Sequence, residues 1–324
     1  MVGPDGAWYL AGRYRNEGDS RAGLGKGAHG LELAVLRSID QGASFSKVLS
    51  FGKRDLAVGE REVVSIEGAK LRFHEGGVEL YVSTEKNGIG YPQGLESYLK
   101  PGTGVWTIDL LEASAVEKLN GHRPRTIIEG SDPRWLHAKD PVVFDSPCGD
   151  TLLYFCTHPF NWSSSNAALA VRRRAAQAFS APDYGFFPRG YTWDVAITRI
   201  SGLCRVPAAG AVPRGATLLF YDGGESLRPL QEHAAAVKRP RGYSCEELGG
   251  VALMVEPRYD QAERLSVALP AFVSPHGTGC SRYVSVLETG EGYFATWQQS
   301  QPDLSQPLVA SFLSRQEAQR ILRG

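Results

Sequence analysis

Short apolar runs separated by glycine- and proline-containing turns recur along the whole chain, and this pattern predicts β-hairpins. Each copy has a polar or acidic residue, a short apolar strand, a Gly-rich turn and an aromatic-rich strand that ends in polar residues. Such copies begin at Glu67, Asp140, Asp194 and Ser281. Further strands follow the hairpins, for example over residues 31–36 and 104–110.

The N-terminus has the pattern of a fifth copy whose first strand is cut short. Residues 1–6 stand where the turn belongs, and residues 7–15 form the second strand. Hairpins with extra strands suit blades of about four strands each. The chain is therefore predicted to be all-β, a five-bladed β-propeller forming a single domain over 1–324, with its first blade truncated at the N-terminus. A helical period is found only near the C-terminus, where residues 313–322 predict a short helix.

Charge and cysteine content narrow the classes of partner. Lys plus Arg and Asp plus Glu both number 35, so the formal net charge is zero, and neither nucleic acid nor a membrane is predicted as a partner. The five cysteines are odd in number and form no CxxC pair, which indicates free thiols in a reducing compartment. The N-terminus lacks the pattern of a signal peptide. We therefore expect a cytoplasmic location, an expectation that holds only if no leader precedes Met1. The oligomeric state is not predicted.

Three copies begin with a carboxylate: Glu67, Asp140 and Asp194. In a propeller, residues at the entry ends of the innermost strands converge at one mouth of the central channel. Cleavage of a glycosidic bond needs one carboxylic acid to protonate the leaving oxygen and one carboxylate as base or nucleophile. A third acidic group nearby raises the pKa of the acid. We therefore predict a carbohydrate substrate, cleaved at a terminal sugar, with these three residues as catalytic groups. The acidic pair Glu246 and Glu247 is an alternative source of one of these groups.

A second set of polar and aromatic residues lies at the ends of the second strands and in loops. Arginine, carboxylate and amide groups can bind sugar hydroxyls, and tryptophan rings stack on sugar faces. The predicted substrate-binding residues are Arg13, Arg15, Glu85, His158, Trp162, Trp193, Asp222, Glu225, Glu246, His276, Arg282 and Gln298. The run Arg172-Arg-Arg174 is interpreted as a solvated strand end, and an anionic substrate is its alternative partner. No cofactor and no metal is predicted. Aspartate and histidine near a channel can hold Ca²⁺, but no ligand spacing here indicates such a site.

Two short motifs resemble those of known hydrolases. Lys139-Asp140-Pro-Val-Val-Phe and Ile66-Glu67-Gly-Ala resemble the blade-start motifs of five-bladed furanosidases, arabinanases and β-xylosidases. In those families one Asp is the general base, a second Asp adjusts pKa and orientation, and a Glu is the general acid. The resemblance implies that Glu67 is the acid, and it leaves open which of Asp140 and Asp194 is the base.

The order of these residues departs from the family pattern. In those families the glutamate follows both aspartates, whereas Glu67 comes first here. A related propeller hydrolase uses a histidine as the acid, which keeps His137, His158 and His276 as candidates. The individual roles are therefore left open.

Residues 38–45 fit the Asp-box pattern of sialidases and related propellers. That motif is a structural turn, so Asp40 is not predicted to be catalytic. One alternative function is a sialidase-like hydrolase of acidic sugars that uses Arg13, Arg189 or Arg282 on the carboxylate. An Arg-Ile-Pro motif is absent near the start of the chain. The other alternative is a non-catalytic propeller that binds carbohydrate.

Overall fold

The strands form five sheets that follow one another along the chain. The computed structural model describes residues 1–14, 32–89, 104–132, 134–159, 164–210, 212–225, 247–255, 258–303 and 305–323. The first sheet contains β1 (Trp8–Tyr14), β2 (Glu32–Ser38) and β3 (Ser46–Gly52). The second contains β4 (Val63–His74), β5 (Gly77–Lys86), β6 (Val105–Ala113) and β7 (Arg125–Ile128). The third contains β8 (Lys139–Asp145), β9 (Thr151–Thr157), β10 (Asn166–Arg172) and β11 (Asp183–Phe187).

The remaining two sheets repeat this arrangement. The fourth contains β12 (Ile197–Val206), β13 (Ala216–Gly224), β14 (Leu248–Met254) and β15 (Glu263–Arg264). The fifth contains β16 (Ser281–Glu288), β17 (Gly292–Gln299) and β18 (Leu308–Ser314). Consecutive strands pair antiparallel in the first, second, fourth and fifth sheets. The predicted all-β class and the five repeated units are confirmed.

The predicted hairpins form where the turn residues require them. Gly77 adopts φ 139° in the β4–β5 turn, and Gly149 adopts φ 88° in the β8–β9 turn. These backbone conformations favour glycine because it has no Cβ. At the N-terminus, Val2 bridges to Trp8, so residues 3–6 form the predicted turn and β1 is the predicted second strand.

Alternating apolar residues of the first two sheets build a core in the N-terminal half. Leu33 and Phe51 of the first sheet and Ile66, Leu80 and Leu111 of the second belong to one buried cluster. Burying an aliphatic or aromatic side chain of this size contributes about 1.5–3 kcal/mol, so this cluster is a main source of stability. In contrast, β9 is buried at every position, as expected for a strand covered on both faces.

The C-terminal helix is confirmed as α1 (Arg315–Arg323). It begins two residues later than the periodicity predicts because Leu313 and Ser314 end β18. The Ser314 hydroxyl accepts a hydrogen bond from the Glu317 backbone N–H at 3.1 Å, which caps the helix at this point. A 3₁₀ helix spans Val116–Gly121.

The chain divides into two compact units. The first comprises Met1–Trp162 and Ala170–Ala181, and the second comprises Ser163–Leu169 and Pro182–Gly324. The two units are described separately below. No helix among the described residues has the length and apolar character that crossing a bilayer would require.

Candidate active site

Two of the three predicted catalytic residues, Glu67 and Asp140, each lie at a β-bulge, at matching positions of their strands. In β4, Ile66 pairs with Thr84 and Ala69 with Val82, so Glu67 and Gly68 together oppose one residue of β5. In β8, Lys139 pairs with Cys156 and Val142 with Tyr154, so Asp140 and Pro141 form the matching bulge. Bulges re-aim side chains and are frequent next to active sites. Glu67 and Asp140 are therefore equivalent residues of the first strands of their sheets.

The two bulges are in direct contact through Gly68. An ideal Cβ on Gly68 would lie 2.8 Å from Asp140 Oδ1 and 2.9 Å from Asp140 Cα. Ser83 of β5 joins the same point, since its hydroxyl accepts from the Asp140 backbone N–H at 3.2 Å and donates to the Gly68 carbonyl at 3.3 Å. Asp140 has φ 53°, a left-handed conformation that costs energy in residues other than glycine and that is kept here by the surrounding contacts. The absence of a side chain at Gly68 thus brings Asp140 against the bulge that carries Glu67.

Glu67 is held by two cations. Arg13 Nη1 of β1 donates to Glu67 Oε2 at 2.6 Å, and Lys139 Nζ lies 3.9 Å from Glu67 Oε1. The side chain of Arg13 is 35% exposed, that of Lys139 is 20% exposed and that of Glu67 is 19% exposed, so solvent reaches the cluster. Lys139 Nζ also lies 4.6 Å from the ring centroid of Trp106, a cation–π distance. The first unit therefore presents two carboxyl groups, a guanidinium, an ammonium and an indole at one place.

Two histidines border this cluster. His137 is buried, and its Nδ1 accepts from the Trp106 backbone N–H at 3.2 Å. Burial, together with the charges of His158 and Lys139, holds the pKa of His137 well below its ordinary value. His137 is therefore neutral near pH 7 and lacks the extra proton that a histidine general acid would donate. His158 lies with its ring centroid 5.8 Å from that of His137, and its Nε2 is 3.7 Å from Cys156 Sγ.

The third predicted catalytic residue is placed differently. Asp194 precedes β12 by three residues, and the irregular position of β12 falls at Ser201, between the Ile200 and Gly202 pairings. Asp194 is thus not at the position equivalent to Glu67 and Asp140. It is fully buried in the second unit, where Arg264 Nε lies 2.8 Å from its Oδ2 and the Tyr221 hydroxyl donates to Oδ2 at 3.2 Å.

A buried charged network lies in the second unit. Arg199 Nη2 is 2.9 Å from both Asp222 Oδ2 and Glu247 Oε1, and Arg282 Nη1 donates to Glu247 Oε2 at 2.5 Å. Burial raises the pKa of Asp222 to about 6 despite the Arg199 contact, and the charge of Glu247 adds to the rise. The Tyr283 backbone N–H donates to Asp222 Oδ1 at 3.0 Å.

Tyr283 stands at the first position of the β16 bulge and has φ 57°. Tyr283 of the fifth sheet is therefore equivalent in position to Asp140 of the third sheet. The Asp222 carboxylate receives its backbone N–H as the Ser83 hydroxyl receives that of Asp140. Of the predicted substrate-binding residues, Arg282 also donates to Gln298 Oε1 at 3.1 Å, so Asp222, Arg282 and Gln298 share one network.

The other predicted binding residues lie apart from these networks. Glu85 is buried at the end of β5, where it accepts from the Gly104 backbone N–H. Trp193 is buried, stacks on Tyr221 with centroids 5.6 Å apart, and donates to the Ser266 carbonyl at 2.8 Å. Glu225 and His276 are exposed. Three predicted residues lie outside the described residues: Arg15, Trp162 and Glu246.

Several residues that shape these sites were not singled out from the sequence. Gly68, Ser83, Arg199, Arg264 and Tyr283 act through partners far along the chain, so local patterns carry no signal for them. Repeat alignment of the strands, with the bulges included, is the signal that could have found Tyr283. Within the described ranges, no group of three or more His, Cys, Asp or Glu side chains is arranged to hold a metal ion.

The turn after β2 carries the predicted Asp-box residues. Asp40 Oδ1 accepts from the Ser44 backbone N–H at 2.9 Å and from the Ser38 hydroxyl at 2.7 Å. The Ser44 hydroxyl bond, with that of Ser38, lowers the pKa of Asp40 to about 2. These bonds are all local, as in a turn-stabilising role. Assignment of the motif itself stays a prediction.

Comparisons with known proteins bear on the fold. No protein-family model matches the sequence, and no curated protein matches it. The crystal structure of an α-L-arabinofuranosidase from Lactobacillus brevis shares 12% identity over 96% of this chain and 88% of that one, with a TM-score of 0.59. A GH43_1 enzyme from Xanthomonas citri, complexed with xylotriose, shares 13% identity over 97% and 86%, with a TM-score of 0.57.

A GH43 β-xylosidase/α-arabinofuranosidase from a compost microbial metagenome shares 10% identity over 97% of this chain and 89% of that one, with a TM-score of 0.57. These likenesses extend over all five sheets. The chain is a five-bladed β-propeller. At such identities the likeness of the propeller establishes its fold, and its chemistry must be argued from its own residues.

Proposed function

We propose that this propeller is a glycoside hydrolase that cleaves a terminal arabinose or xylose residue from a carbohydrate. The observation that carries the proposal is the contact between equivalent bulges in neighbouring blades, which sets Asp140 against the strand segment of Glu67. Two carboxyl groups on rigid strands are the minimum that glycosidic cleavage requires. The sugar type comes from solved structures of similar fold, which include an α-L-arabinofuranosidase and a β-xylosidase/α-arabinofuranosidase.

The reaction divides two tasks between Glu67 and Asp140. One carboxyl group protonates the glycosidic oxygen as the bond to the sugar breaks, and the other either removes a proton from water or attacks the anomeric carbon. Arg13 and Lys139 fix the orientation of Glu67 through contacts at 2.6 and 3.9 Å. The Trp106 ring is buried, and Lys139 Nζ lies over it at 4.6 Å, so this ring helps to hold the ammonium group in place. Asp194 is left out of the pair because it is fully buried in an ion pair with Arg264.

Amide variants test the pair directly. We expect Glu67→Gln and Asp140→Asn each to lower kcat by about a hundredfold or more on arabinosides and xylosides, since each removes acid–base or nucleophilic catalysis. Asp132→Asn is the matched control, because Asp132 is a partly exposed carboxylate of the same unit that pairs with Arg134. Near-normal turnover by both amide variants would contradict the proposal.

Leaving-group dependence separates the two roles. In a dinitrophenyl glycoside the dinitrophenolate group leaves without needing a proton. The variant that lacks the acid should therefore recover most of its activity on that substrate. The variant that lacks the base or nucleophile should stay slow on every leaving group. If neither variant recovers, neither residue is the proton donor.

The alternative of an acidic sugar finds less support. Arg13 is already paired with Glu67, and Arg282 donates to Glu247, Gln298 and Gln306. A substrate carboxylate would have to displace these partners at Arg13 or Arg282. Arg189, the third candidate, is exposed in the second unit. A non-catalytic propeller is the outcome of the same assays if sugars bind to the wild-type protein but no product forms over a broad substrate panel.

A further inference from the structure

A cleft lies in the first unit, at the opposite ends of the strands that carry the proposed catalytic pair. Its volume is about 670 Å³, which suits a sugar-sized ligand. Arg72, at the far end of β4, lines it, whereas Glu67 lies five residues earlier on the same strand. Five residues of extended strand span about 16 Å, so the cleft is separate from the catalytic pair.

Five arginines line this cleft, and we refer to it as the arginine cleft. They come from the end of β4, from β7 and from the end of β10 with the residues after it: Arg72, Arg125, Arg172, Arg173 and Arg174. The lining carboxylates are Glu79 and Glu112. The run that the sequence pattern indicated as a solvated strand end therefore forms one wall of a concave surface.

Two of the guanidinium groups are fixed before any ligand arrives. Glu79 is almost fully buried, and its carboxylate lies 3.0 Å from Arg72 Nη1 and 2.7 Å from Arg172 Nη2. Burial alone would raise the pKa of Glu79, but the Tyr81 hydroxyl and the two arginine charges hold it below its ordinary value. Arg172 also lies over the Phe179 ring at 5.1 Å. Arg72 Nε also lies 2.8 Å from Asp145 Oδ1, so the two arginines are balanced by two carboxylates. They form a rigid floor, which lowers the entropy lost on binding.

At the rim of the arginine cleft, two of the arginines have carboxylate partners and a third, Arg174, supplies the surplus positive charge. Arg125 pairs with Glu112, and Arg173 pairs with Asp150. Among the described residues, Arg174 has no ion pair with a carboxylate, although its backbone N–H donates to Asp150 Oδ1 at 2.9 Å. Its side chain passes over Gly149, where an ideal Cβ would lie 3.0 Å from Arg174 Cδ. Gly149 therefore gives the Arg174 guanidinium room at the cleft.

We propose that the arginine cleft binds a sugar-sized anion, with a phosphate or carboxylate group on Arg174 and Arg173 and a hydroxyl group on Gln177. Planar guanidinium forks match both oxyanions with paired hydrogen bonds. Gln177 lines the same cleft and is exposed, so its amide group can bind a sugar hydroxyl. The Thr151 hydroxyl is buried and already donates to Asp145 Oδ1 at 3.3 Å. This site is independent of the proposed hydrolase activity, since no residue is shared.

Calorimetric titration tests the proposal with four probes: inorganic phosphate, glucose 6-phosphate, galacturonate and galactose. Ionic strength is held constant with sodium chloride, so that screening does not mimic binding. We expect glucose 6-phosphate, galacturonate or both to bind the wild-type protein with a dissociation constant in the millimolar range or lower. Galactose should bind at least tenfold more weakly than the better anion. Phosphate binding without galacturonate binding would assign the oxyanion as phosphate, and the reverse result would assign it as carboxylate.

The matched variants are Arg174→Gln and Arg134→Gln. Both replace an exposed arginine of the first unit, but Arg134 pairs with Asp132 and does not line the cleft. Arg174→Gln should weaken anion binding at least tenfold, whereas Arg134→Gln should leave it unchanged. Equal binding by both variants, or no anion binding by the wild-type protein, would overturn the proposal. Hydrolysis of glycosides plays no part in this readout, so failure here and failure of the proposed function are distinguishable.

Discussion

Replacing Gly68 with alanine tests the contact on which the proposed active site depends. The added Cβ would meet Asp140 Cα at 2.9 Å and Asp140 Oδ1 at 2.8 Å. Ordinary carbon–carbon contacts lie at about 3.5–4.0 Å, so the two bulges must separate by about 0.6 Å or more. Overpacking of this kind costs about 1–3 kcal/mol of stability.

The same displacement should be felt in catalysis. A misplacement of about 1 Å can lower a rate about a hundredfold, so we expect Gly68→Ala to lower kcat/KM on arabinosides or xylosides at least tenfold. Urea unfolding followed by circular dichroism measures the stability, and release of an aryl group measures the rate.

The control is Gly121→Ala. An ideal Cβ on Gly121 has no neighbour within 4 Å, so its stability and activity should stay close to those of the wild-type protein. If Gly68→Ala is as stable and as active as Gly121→Ala, the contact between the bulges does not position the catalytic pair.

Two buried ion pairs give further predictions. Arg199 and Arg282 lower the pKa of Glu247 to about 2 although burial opposes them, so its contribution is present above the ordinary value of 4.5 and is lost as pH falls toward 2. Glu247→Gln should therefore be about 3 kcal/mol less stable at pH 6, and the difference should shrink below pH 4.5 in urea titrations; a constant difference would contradict this. Asp109→Asn should leave the buried Lys86 ammonium without its charged partner and cost about 3–5 kcal/mol, and the double variant with Lys86→Met should recover part of the loss.

The fold was largely predictable because hairpins leave a local signal. Two apolar strands around a turn such as that at Gly77 can be recognised from a few consecutive residues. Four of the repeat copies correspond to the first strands of sheets. The exception in detail is the copy that begins at Asp194. Its strand starts at Ile197, and the segment before it is irregular, so an acidic residue near an apolar run was taken for the head of a strand.

The site was only partly predictable because bulges and long-range contacts leave no local pattern. Glu67 and Asp140 were placed at equivalent positions from the repeat alone. Which side chains surround them depends on contacts such as that between Arg13 and Glu67, which lie 54 residues apart in the chain. Likewise, nothing around Gly68 indicates that its missing side chain makes room for Asp140.

The most direct test of the central claim is a crystal structure of the Asp140→Asn variant soaked with xylotriose. We expect the glycosidic oxygen between the last two sugars to lie within about 3.5 Å of the Glu67 carboxylate or of the Asn that replaces Asp140. A xylotriose bound in well-defined density elsewhere on the propeller, with neither of these two side chains near a glycosidic oxygen, would contradict it.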